Sequence, residues 1–72
     1  MRAALQGRKG IDGYAGITLA AVRGLPIEDQ MEEISARVIV GDYAGVPTEQ
    51  LNVLRHFWQL LYERLYRLKT FH

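Results

Sequence analysis

The sequence predicts an all-α fold: a short N-terminal helix, then an antiparallel helical hairpin whose second arm is a long C-terminal helix. Three observations predict it. Leu51, Leu54, Trp58, Leu61, Leu65 and Leu68 recur in strict 3-4-3-4-3 spacing, the a/d seam of a coiled coil. Ile27, Met31, Ile34 and Val38 repeat at 4-3-4 spacing, a second seam of the same kind. Between the two lies Gly41-Asp42-Tyr43-Ala44-Gly45, a turn by composition and short enough to fold one arm back on the other.

Residues 1–16 read as a flexible arm or loop. Met1 to Gln6 suit one helical turn, but Gly7, Gly10, Gly13 and Gly16 then fall at every third position. Four such repeats without proline cannot form a collagen triple helix. Arg8 and Lys9 between glycines suit a phosphate contact, yet the spacing and the Lys-Ser/Thr pair of a P-loop are absent.

Ile17 to Arg23 is best read as a helix of about two turns ending at Gly24, a favoured C′ residue. Its alternation also suits a strand, and the small alanines favour helix. The second helix spans about residues 26–39. Pro26 opens it, where a missing N–H costs nothing, and Glu28 and Asp29 sit at the positive end of its dipole. Glu33 and Arg37 form a favourable i,i+4 pair. The β-branched run Val38-Ile39-Val40 serves helix or strand equally, and Gly41 stops it either way.

The long helix spans about residues 47–70. Pro47 occupies its first turn, Glu49 complements the dipole, and no Gly or Pro interrupts the helix beyond that turn. Val53, Phe57 and Leu60 flank the seam on one side and Tyr62 and Tyr66 on the other, an apolar arc of roughly 240° where an ordinary surface helix shows ~100° or somewhat more. A surface that wide, on a helix of about 36 Å, exceeds what one short neighbour covers. The sequence Tyr14-Ala15-Gly16-Ile17 is echoed by Tyr43-Ala44-Gly45-Val46, each copy leading into an expected helix against which its tyrosine would pack.

Seventy-two residues make a single small domain, 1–72, for which one core is marginal; chains of this size commonly add disulfides, a metal or a subunit interface. With no cysteine, oligomerisation is the remaining device. A homodimer is therefore expected, with Leu51, Leu54, Trp58, Leu61, Leu65 and Leu68 as its interface. The net charge of +1 argues against capture of nucleic acid by bulk charge. Its distribution is uneven: +3 over residues 1–23, −4 over 24–45 and +2 over 46–72. No apolar run approaches a membrane span, and Ile17–Val22 is too short for a signal h-region. A cytoplasmic location is expected.

Chemistry finds little support. Ser35, the only serine, has no histidine near it in sequence, and His56 falls on the polar strip Asn52-His56-Gln59-Glu63-Arg67. No spacing suits a metal, and no cofactor is expected. The reading is a non-enzymatic protein that binds and modulates a partner protein, as inhibitor or adaptor, through a helical surface. Arg55, Tyr62, Tyr66 and Lys69 are its candidate binding residues, since Tyr and Arg are enriched where interfaces carry their energy. Two alternatives stand beside it: a dimeric nucleic-acid-binding regulator using Arg55, Arg64, Arg67 and Lys69, and a structural subunit of a larger assembly.

Overall fold

The computed structural model describes residues 13–70. It is all-helical in that range: α1 is Tyr14–Val22, α2 is Ile27–Ala44 and α3 is Thr48–Thr70. No strand occurs among the described residues, so Ile17–Val22 and Val38–Val40 are both helical.

The first helix begins three residues earlier than the periodicity suggests. Gly13 is its N-cap and brings no side chain to satisfy the free amides of the first turn. That acceptor comes from a distant element: the Ala15 N–H donates to Oε1 of Gln50 at 2.8 Å, and Gln50 is buried. Tyr14, Ala15 and Gly16 therefore belong to α1 and not to an arm; the rest of that expected arm, residues 1–12, lies outside the described residues. Gly24 follows the helix without a left-handed φ, since Gly45 is the only described glycine with positive φ. Pro26 lies just outside α2 in an extended conformation and accepts the Gln30 N–H at 2.9 Å. Pro47 does the same for α3, accepting from Gln50 at 3.0 Å and Leu51 at 3.3 Å.

α2 runs on past Gly41 before it stops. Its end is at Gly45, φ 83°, where the Val46 N–H reaches the Gly41 carbonyl at 2.9 Å and the Gly45 N–H reaches Asp42 at 3.3 Å. These are the paired hydrogen bonds of a Schellman stop. Gly41 is inside the helix for a packing reason. A Cβ there would lie 2.9 Å from Leu51 Cδ2 and 2.9 Å from Tyr14 Cε2. The absent side chain lets α1, α2 and α3 meet at one point, and there the Tyr14 hydroxyl donates to the Arg37 carbonyl at 2.7 Å. Tyr43 does not share the role its echo suggests: Tyr14 packs into this junction, whereas Tyr43 is 91% exposed on the last turn of α2.

Gly41 of α2 meets Leu51 of α3, and Glu28 at the other end of α2 lies 3.9 Å from Lys69 at the other end of α3. The two long helices thus run in opposite directions along each other. Ala15, Val22, Ile34, Leu54 and Leu61 form the core, one or two from each helix, with Tyr14, Leu19, Val38, Phe57 and Trp58 packed around them. Fully burying Ile34 and Leu54 contributes roughly 1.5–3 kcal/mol each. The Glu33–Arg37 pair forms at 2.8 Å on a partly exposed face, where such pairs add little.

A groove between the two long helices

α1 covers only one side of the α2–α3 pair. Its Gly16, Leu19 and Ala20 line a surface hollow with Phe57, and its N-terminus is tied to Gln50. Arg55 and Phe57, two residues apart, point about 200° apart around α3. The side of the pair that carries Arg55 therefore lies away from α1, and there the structure holds a groove.

One wall is a row at four-residue spacing on α2, Met31, Ser35 and Ile39, because i and i+4 stack on one helix face. The other wall is Arg55, Trp58 and Gln59 of α3. Between them a cavity of about 320 Å³ is bounded by Ile34, Ser35, Val38, Ile39, Arg55, Trp58 and Gln59. It continues along α2 past Met31, Glu32 and Ala36. Ser35 is the small member of its row, and the indentation lies over it. Ile39 is 58% exposed, a large apolar side chain left at the lip.

The α3 wall is stiffened by stacking. The Trp58 and Tyr62 rings lie 5.6 Å apart and 7° from parallel, an offset-stacking distance that adds to plain area burial. Trp58 is half-buried against the core, so it holds Tyr62 upright at the rim. Beyond the groove Tyr62 and Tyr66 continue from Trp58 at four-residue spacing and line a separate hollow with Glu63, Arg67 and Thr70, Tyr66 being 64% exposed. Arg55 is fixed at the far end, its Nη1 donating to Asn52 Oδ1 at 3.0 Å. Lys69 sits beside Glu28 with both side chains well exposed. The four candidate binding residues thus share one side of α3, strung along it from Arg55 to Lys69.

The expected interface divides. Leu51, Leu54 and Leu61 are buried in the chain's own core, so they are already covered without a second chain. Trp58 and Leu65 are half-buried, and Leu68 is 58% exposed. The large apolar side chains left exposed on α3 are therefore Leu60, Tyr62, Tyr66 and Leu68, not the seam as a whole. Met31 reads in the sequence only as part of the α2 seam, and Ser35 and Ile39 carry no signal beyond ordinary helical spacing; what reveals the three as a wall is that α1 occupies the other side.

Ser35 lines the groove, but no histidine lies among its lining residues. Among the described residues no three His, Cys, Asp or Glu side chains converge as a metal site would require. No described helix is long and apolar enough to cross a membrane. No protein family model, curated protein or solved structure matches the chain.

Proposed function

We propose that this chain is a small non-enzymatic binding protein that modulates another protein by seating one of its helices in the α2–α3 groove. The observation that carries this reading is the groove itself: a largely apolar trough about as long as two helical turns, walled on α3 by Trp58 with Tyr62 stacked on it, and left uncovered by α1. Aromatic side chains with one wet end are suited to such surfaces, because the ring is buried by the partner while the hydroxyl keeps its hydrogen bonds. The edges select the ligand. Arg55 borders the α3 side, with Lys69 farther along that helix, and Glu32 borders the α2 side, so the fitting partner is an amphipathic helix with acidic residues on the edge that meets α3.

A nucleic-acid role needs the basic residues on one face. Nine residues separate Arg55 from Arg64, which is half a turn around an α-helix and places them on opposite sides. The charges of α3 therefore do not make one stripe for a phosphate backbone.

Capture from a lysate of the source cells, with purified protein as bait, tests the proposal. A partner retained by the wild type and by Ile17→Ala, an exposed change on α1, and lost by Ser35→Arg supports it. Equal retention by Ser35→Arg, with helicity unchanged, overturns it. So does binding to random duplex DNA tighter than about 10 μM at physiological salt that is lost when Arg64 and Arg67 become Ala.

A further inference from the structure

The groove asks for an amphipathic helix with an acidic edge, and this chain contains one. α2 carries Glu28, Asp29, Glu32, Glu33 and Asp42 against Arg37, a net −4, while α3 carries a net +2. We infer that the groove is occupied by α2 of a second copy, in a dimer whose two-fold axis runs parallel to the long helices. This rests on reading the groove as a helix-binding surface and names its occupant in the free protein, which a partner helix of the same chemistry displaces.

Two face-to-face arrangements bring both grooves together. An axis perpendicular to the helices places α2 on α2 and α3 on α3, setting acid against acid and base against base. An axis parallel to them places each α2 on the partner's α3. Like charges juxtaposed across an interface are unfavourable, so charge selects the parallel axis. That axis also leaves every residue at its own height, and the heights agree. The helices run in opposite directions, so the Gly41–Leu51 junction puts Asp42 level with Gln50, within one helical turn of Asn52, where Arg55 Nη1 is already held at 3.0 Å. Each Arg55 thus faces the Asp42 of the other copy. At the opposite end Glu28 lies level with Lys69, 3.9 Å apart within the chain, so both can be shared across the interface. Midway, Ser35 and Trp58 bound the same cavity, so the smallest wall residue of one copy meets the largest of the other. Four long helices then enclose one apolar centre, with the two α1 helices outside.

Single-cysteine variants test the geometry, since the chain has no cysteine of its own. Ser35→Cys and Gln59→Cys are expected to give little disulfide dimer when oxidised separately, and a predominant cross-linked heterodimer when mixed. Strong cross-linking of Gln59→Cys with itself would show α3 against α3 and overturn the parallel axis. Sedimentation should show a dimer at micromolar concentration, weakened by more than about 30-fold in Ile39→Glu, as for loss of a central anchor. Arg55→Asp should also weaken it, and Arg55→Asp combined with Asp42→Arg should restore it. A chain that stays monomeric even at about 100-fold higher concentration overturns the inference, since a specific interface saturates well below that. If Ser35-dependent capture of another protein persists in that case, the groove reading stands without it; if capture is also absent, both fail.

Discussion

Gln50 of α3 caps the N-terminus of α1: its Oε1 accepts the Ala15 N–H at 2.8 Å across 35 residues of sequence. The first turn of a helix leaves amides without intrahelical partners, and α1 has only Gly13 at its cap position. Gln50 is buried, so this is an interior hydrogen bond with no water to replace it.

Gln50→Ala is therefore expected to destabilise the fold by about 1–2 kcal/mol, the range for a lost cap or a buried donor left unpaired. Gly13→Ala should act through the same contact, because its Cβ would lie 2.7 Å from Gln50 Oε1 and drive the amide away. Urea denaturation measures both. Unchanged midpoints would mean that the cap contributes nothing. If the two effects share one cause, the double variant should fall well short of their sum.

Two glycines, one after α1 and one within α2, predict opposite outcomes. Gly41→Ala gains about 0.8–1 kcal/mol of helix propensity but forces a Cβ to 2.9 Å from Leu51 and Tyr14, where overpacking costs about 1–3 kcal/mol. The net is destabilisation. Gly24→Ala meets nothing within 4 Å and needs no left-handed backbone, so it should be neutral or stabilising by up to about 1 kcal/mol. A stabilising Gly41→Ala would mean that the three-helix junction is looser than its distances imply.

Thr18 lies wholly within the core with a hydroxyl that has no hydrogen-bond partner among the described residues. An unsatisfied buried polar group costs roughly 1–3 kcal/mol, and Val has nearly the same shape with similar helix propensity. Thr18→Val should raise stability by about 1 kcal/mol, seen as a higher melting temperature. A drop would show that the hydroxyl finds an acceptor in solution.

These sites show which parts of the fold can be read along the chain. The two heptad seams are local repeats, and they identify α2 and α3 with the right class and nearly the right start. Gly41 is misleading because its local meaning, a helix breaker, differs from its tertiary one, an opening for Tyr14 and Leu51. Gly45, which does break the helix, looks no different in composition. Gln50 reads as a generic helix former, since its role depends on an amide 35 residues away. The wide apolar arc of α3 is legible, with Tyr62 and Tyr66 at its edge. Which portion of that arc remains open is not, because that depends on where the short α1 docks. The wall Met31-Ser35-Ile39 is hidden for the same reason.

Tyr66 is the residue on which the binding reading can be judged most cleanly. It is 64% exposed, at the outer end of the Trp58-Tyr62-Tyr66 row, and its backbone carbonyl accepts from the Thr70 hydroxyl at 2.7 Å, a contact that does not involve the ring. Tyr66→Ala thus removes a ring that the fold does not depend on, while Ala is a better helix former. Helicity and the unfolding midpoint should stay unchanged. Affinity for the helix seated in the groove should fall by at least about 1–2 kcal/mol, as when an interface anchor is truncated. Tyr62→Ala should cost more binding and also some stability, because its ring is stacked on Trp58. Calorimetry of the complex alongside circular dichroism separates the two. Loss of helicity in Tyr66→Ala would place the ring in the fold and not at a binding surface. Unchanged affinity in both variants would remove the aromatic row from the site and leave the Met31-Ser35-Ile39 face of α2 as the surface to test.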